Sequence, residues 1–294
     1  MTLLLLDASS LAYRAYHAIP ELTAPDGQTK TNAVHGFLNF LARLITDRMP
    51  SRLMVALDDD WRPAFRVEVL PTYKTHRLAD AADAKDTVEP QIELACEVLA
   101  SIGLAIASAK GYEAEDAIAA IVARERGTIE IVTGDRDLFA LVRDPDVRVL
   151  YTLRGVSELA IVDEAYVART YGIPGDRYAD YAILRGDPSD GLPGVRGIGE
   201  KSAAELVRRY GSLDGILAAT DLSPTMRAKL SASAAYLSAA RRVVPPQRDS
   251  PVEVADGAIP RRAREPQRLK ALADRYAIGG PIDRVLKAIG TLPG

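Results

Sequence analysis

The chain has 294 residues, of which 48% are hydrophobic and 26% charged, with a formal net charge of −3; this is ordinary globular composition, sufficient for one large α/β domain or a core with an appended subdomain. No run approaches the roughly 20 apolar residues of a membrane span, and the opening MTLLLLD lacks the basic flank and long apolar stretch of a secretory signal. The single cysteine, Cys96, excludes an internal disulfide and fits a reducing cytoplasm; within IELACEVLASIG it reads as a small core residue.

Taken in chain order, near-continuous apolar runs at 3–6, 53–57, 104–107, 129–133 and 147–152 predict strands buried on both faces. Helical patterns lie between them at 32–48, 90–102, 115–126 and 138–142. Strand–helix alternation of this kind predicts a parallel α/β sheet. Beyond about residue 160 the strand signal stops, and short helices are expected at 163–171, 176–184, 198–210, 213–218 and 225–237. Two segments resist the scheme. Residues 71–89, PTYKTHRLADAADAKDTVE, lack a core-facing period and are expected to be exposed and mobile. Residues 243–262 carry Pro245, Pro246, Pro251 and Pro260 and read as an extended connection. The reading places a boundary near 165, with a core at 1–165 and a helical subdomain at 166–294.

Carboxylates recur just past the apolar runs. Asp7 and Asp58 follow the first two, Glu113, Glu115 and Asp116 follow the third, and Asp135 and Asp137 follow the fourth. Asp187 and Asp190 precede a Gly-rich segment. Each pair alone reads equally as an N-cap or turn acid. Their joint placement is the stronger signal, because parallel strands direct their carboxyl ends to one rim. Crowded carboxylates require cations, and hard divalent ions suit an all-oxygen site. Two ions about 4 Å apart can clamp the attacking and leaving oxygens of a phosphodiester. Arg66, Lys74 and Arg77 follow Asp58 closely, and the last two, three apart, would share one helical face toward a phosphate or toward solvent.

The segment 192–213, LPGVRGIGEKSAAELVRRYGSL, supplies a third element. Gly194, Gly197 and Gly199 permit a tight turn, after which a helix would present free N–H groups, with Lys201 and Ser202 in its first turn. This reads as a helix-hairpin-helix, about 184–220, that grips duplex backbone without reading bases. From Arg241 onward eleven cations face six acids, so the C-terminal region is basic although the whole chain is not.

Five motifs in order, LLDASSLAYRAYHA, VALD with FR-x-E-x-x-P-x-YK-x-x-R, GYEAEDAIA, TGDRDLFAL and LRGDPSDGLPGVRGIGEKSA, resemble the 5′ nuclease domain of bacterial DNA polymerase I and the wider flap endonuclease family. The resemblance implies a PIN-like α/β core with a helical arch, about 71–100, and Mg²⁺- or Mn²⁺-dependent hydrolysis of DNA at 5′ flaps, nicks and overhangs. It implies that Asp7, Asp58, Glu113, Glu115, Asp116 and Asp135 serve a first metal and that Asp135, Asp137, Asp187 and Asp190 serve a second. Lys74 and Arg77 match the family's basic pair at the arch base, Tyr73 is either a base-stacking residue or a packed anchor, and the 194–202 carbonyls are implied to hold K⁺ beside a duplex phosphate. Glu115 stands where the bacterial pattern has Asp, Gly191 where it has Asn, and Gly134 where it has Ala. The chain ends at Gly294 with no polymerase after it, so a stand-alone cytoplasmic nuclease is expected, a monomer acting on branched or nicked duplex with a 5′ single-stranded flap, linked functionally to a polymerase and a ligase. The alternatives are a protein that binds branched DNA without cutting it, and an RNA-directed PIN nuclease or another phosphatase-like α/β enzyme.

Overall fold

All five apolar runs form strands in the computed structural model, which describes residues 1–78, 88–253 and 256–293. They are β1 (Thr2–Asp7), β2 (Arg52–Ala56), β3 (Ala105–Ala107), β4 (Thr128–Thr133) and β5 (Val147–Arg154), joined by a further strand, β6 (Glu158–Val162). The sheet order is β3-β2-β1-β4-β5-β6, parallel through β5, with β6 antiparallel at the edge. β6 escaped the sequence reading because an edge strand needs no continuous apolar run, and only Val162 of its five residues is buried.

Leu3 and Leu5 of β1 face one side of the sheet, and Leu4 and Leu6 face the other, as the two-residue period of a strand requires. The second side is covered by α2 (Asn32–Arg48) and α4 (Glu89–Ile102), and the first by α5 (Ala114–Arg124). Two short helices complete this half, α1 (Ala8–Ala18) and α3 (Ala64–Val69). α1 was not anticipated, although Leu11, Ala12 and Ala15 bury one face of it and Asp7 caps its N-terminus by accepting the Ser10 N–H at 3.1 Å.

The C-terminal part is helical, as expected: α6 (Glu164–Tyr171), α7 (Tyr178–Arg185), α8 (Glu200–Tyr210), α9 (Leu213–Ala218), α10 (Pro224–Ala232) and α11 (Ala234–Val243). The single helix expected at 225–237 is two, broken at Ser233. The proline-rich connection then runs along α5, where Arg124 donates to the Ser250 and Val252 carbonyls at 3.0 Å each. α12 (Pro266–Tyr276) and α13 (Gly279–Gly290) return to pack on α4 and α2. Among the described residues, no helix is long and apolar enough to cross a membrane.

Candidate active site: a carboxylate cleft at the sheet rim

A cleft of about 2050 Å³ opens at the carboxyl ends of the parallel strands, lined by Asp7, Asp58, Glu113, Glu115, Asp135 and Asp187 among others. Asp7 ends β1, and its second oxygen accepts the Thr133 hydroxyl at 2.7 Å. Asp58 lies two residues past β2 and accepts the Ala114 N–H at 2.7 Å, which fixes the start of α5 to the strand end. Glu113 precedes α5 and Glu115 lies in its first turn. Five chain segments far apart in sequence thus meet at one rim.

Asp135 lies past β4, and its Oδ1 accepts the Asp137 N–H at 2.9 Å. Asp187 accepts the Ser189 N–H at 2.9 Å and pairs with Arg185 at 3.0 Å. Asp137 and Asp190 are buried and stand outside the cleft lining. No described residue donates a hydrogen bond to the Asp137 carboxylate. Burial and neighbouring acids oppose ionisation at five of these groups. Burial, then Asp58, push Asp7 up to about 7. Burial lifts Glu113 to about 7 against the pull of Lys74 and Arg66. Asp135 is raised by burial and by Asp190, and Asp137 is raised well above its ordinary range by burial and by Asp135. Glu115, also buried, is raised in the same way.

The cations divide between the two groups of acids. The Lys74 ammonium is buried against Glu113; burial opposes its charge, but Glu113 and Asp190 outweigh burial and hold it above the ordinary lysine range. Arg77 donates to the Ser189 carbonyl and to Asp190 Oδ1, both at 2.6 Å. They do not share a helical face, because Lys74 sits in a turn at φ 49°. In the described stretch 71–78, Pro71, Thr72, Thr75, His76 and Leu78 are exposed as expected, but Tyr73 and Lys74 are buried. Tyr73 donates its hydroxyl to Glu113 at 2.8 Å and is a packed anchor, not a stacking platform. Of the expected arch, about 71–100, residues 79–87 lie outside the described residues, and 89–100 belong to α4, which packs on the sheet.

Arg66 is the residue whose part was hardest to read from sequence. It is fully buried, and its guanidinium donates to both oxygens of Asp116 and to Glu115, each at 2.7 Å, and through Nε to the Val243 carbonyl at 2.9 Å. Glu113 lies 3.2 Å from the same guanidinium. Asp116, expected among the metal acids, is fully buried behind Glu113 and Glu115, with further bonds from the Gln247 and Glu113 N–H groups. It does not line the cleft. Cys96 is not a core residue either. It is half-buried on the α4 wall of the cleft, its thiol pushed up to about 11 by burial and Glu93. As the side chains stand, no three acids among the described residues are gathered closely enough to enclose an ion; several are turned toward Arg66, Lys74 and Arg77 instead.

The Gly-rich segment joins α7 to α8, and Gly199 and Glu200 reach the cleft. Gly194 at φ 68° packs so that a Cβ would collide with the Arg185 carbonyl. Gly197 has φ 79°. Gly199, expected to need its small size, caps α8 at φ −99° with open space where a Cβ would project. Lys201 is exposed and Ser202 half-buried on the first turn of α8. The C-terminal cations lie elsewhere: none from Arg241 onward lines the cleft, and Arg241 and Arg268 pair with Asp214 and Glu97 at 2.6 and 3.2 Å.

Comparison with known proteins gives the family and the fold. Residues 2–172 match the 5′-3′ exonuclease N-terminal resolvase-like domain, and 173–267 match the 5′-3′ exonuclease C-terminal SAM fold. The chain is 46% identical to a 5′-3′ exonuclease of Streptomyces coelicolor over 97% of its own length and 99% of that protein. It is 42% identical to DNA polymerase I of Mycobacterium bovis over 74% of its length, covering 24% of the polymerase. Its fold resembles that of the bacteriophage T5 flap endonuclease, solved as a pseudo-enzyme-product complex with DNA and metal ions, at a TM-score of 0.68 and 18% identity over 98% of each chain. The chain belongs to the 5′-3′ exonuclease family and is a nuclease, a hydrolase of phosphodiester bonds.

Proposed function

We propose that this nuclease cuts DNA at 5′ flaps, nicks and overhangs during replication and repair, using Mg²⁺ or Mn²⁺. The observation that carries the reading is the convergence of acids from five separate segments on one cleft that adjoins both Lys74–Arg77 and the hairpin. The residues fit divalent ions. All the ligating atoms are oxygens, and they are crowded and partly buried. We assign a first ion to Asp7, Asp58, Glu113 and Glu115 and a second to Asp135, Asp137, Asp187 and Asp190. Asp116 and Arg66 support the first set from behind.

When bound, the ions would supply activation of a water nucleophile and neutralisation of charge on the leaving oxygen. The protein's own part is positioning. Asp7, Asp58 and α5 hold the acids on rigid strand ends and a helix start. Lys74 and Arg77, now paired with Glu113 and Asp190, would turn to the scissile phosphate once the ions satisfy those carboxylates. Catalysis belongs to the 1–165 region together with Asp187 and Asp190, and duplex holding belongs to the hairpin. The protein acts as a monomer in the cytoplasm, beside a polymerase that displaces the 5′ end and a ligase that seals the nick.

The test is cleavage of a 5′-flap duplex by purified protein with Mg²⁺ or Mn²⁺, and binding of the same duplex in Ca²⁺. Cutting near the flap junction is expected; binding without cutting under either ion would identify a branched-DNA binding protein instead.

A further inference from the structure

The resemblance implies a potassium ion on the carbonyls of the hairpin, but in this chain a lysine already stands on one of them. The Val195 carbonyl accepts the Ile198 N–H and the Gly199 carbonyl accepts the Ala203 N–H, both at 2.9 Å. The Gly197 carbonyl is taken by a side chain from another helix: the Lys229 ammonium of α10 donates to it at 2.8 Å. The lysine stem lies flat along Gly197, where a Cβ would come within 3.0 Å of Nζ and 3.1 Å of Cε. Gly197 is therefore small for two reasons, its φ of 79° and the lysine across its face.

Lys229 is held in place by its own helix. Ser223 caps α10 by accepting the Met226 N–H at 3.2 Å, Pro224 opens it, and the adjacent Leu230 is buried in the core. No carboxylate among the described residues pairs with Lys229, nor with Arg196 or Lys201 on the same hairpin. An ammonium carries three donors, so two remain after Gly197 is served.

We propose that Lys229 is a built-in cation of the hairpin, which occupies the place of a monovalent ion against the Gly197 carbonyl and bonds a duplex backbone phosphate with its remaining donors. Duplex binding by this chain is then indifferent to potassium. The proposal rests on the hairpin being the duplex-holding element.

The experiment measures affinity for a nicked duplex by fluorescence anisotropy in Ca²⁺, with KCl or NaCl at equal ionic strength. Wild-type affinity should agree between the two salts within about twofold, because no ion site is emptied. Lys229→Met keeps the stem over Gly197 and removes the charge. It should bind about tenfold more weakly in NaCl, with a salt slope reduced by about one, and recover part of the loss in KCl as potassium enters the vacated place. A wild-type protein that loses about fivefold or more when sodium replaces potassium would overturn the proposal, as would Lys229→Met with unchanged affinity and slope. If the wild type binds no duplex in either salt, the duplex role of the hairpin falls and the Lys229 assignment falls with it; a wild type that binds but depends on potassium removes the Lys229 assignment alone.

Discussion

Asp135 lines the cleft; its carboxylate accepts the Asp137 N–H, and its own N–H donates to the Thr133 hydroxyl. Asp135→Asn should therefore remove most cleavage while leaving duplex affinity near wild type, since it takes away an ion ligand and no phosphate contact. Cleavage rates and anisotropy on one substrate separate the two, and equal losses would mean a folding defect. Arg66 invites the opposite experiment. One buried guanidinium serves Asp116, Glu115, Glu113 and the Val243 carbonyl, so Arg66→Met strands several carboxylates in the interior. A loss of about 3–5 kcal/mol in urea unfolding is expected. A loss below about 1 kcal/mol would show the cluster to be solvated in solution.

At the scale of elements, the hairpin was recognised as a motif, but the relative importance of its glycines was not. Spacing made Gly194, Gly197 and Gly199 equivalent. Backbone geometry does not: Gly194 is left-handed and abuts the Arg185 carbonyl, whereas Gly199 has room for a side chain at an unstrained φ. Gly194→Val should cost most of the duplex affinity and lower the melting temperature, and Gly199→Val should leave the melting temperature nearly unchanged. A reversed order in thermal melts would contradict this account. A second junction was invisible in the sequence. The Lys74 N–H donates to the Asp190 carbonyl at 2.9 Å, and Gly191, at φ 70°, lets the Thr72 carbonyl approach where any Cβ would collide. This close approach gives the glycine, where the family pattern has asparagine, a local structural reason.

For the whole molecule, the acid cluster makes stability depend on pH and on ions together. Asp7 and Glu113 titrate at about 7 in the fold and near 4 in the unfolded chain. The native state thus binds more protons between those values, so the contribution of these groups to stability falls as pH rises through that window. Divalent ions should offset the loss. Added Mg²⁺ or Mn²⁺ is expected to raise the melting temperature more at pH 8 than at pH 5.5, and cleavage should rise with pH through about 7. Equal thermal shifts at the two pH values would argue against ions binding this cluster.

Periodicity and motif order determined much by themselves. Five strands, the main sheet-covering helices, the helical C-terminal part and the gathering of acids at one rim were all legible, because a strand buried on both faces must be apolar throughout and parallel strands share one carboxyl end. Only the tertiary structure decided which acids face the cleft. Glu115 and Asp116 are adjacent on α5, yet Glu115 lines the cleft and Asp116 is spent on Arg66 and the Gln247 N–H, partners 50 and 131 residues away. It likewise decided that Tyr73 is an anchor and that Lys229 crosses to the hairpin. Such contacts are set by the packing of elements distant in the chain, to which local spacing carries no reference.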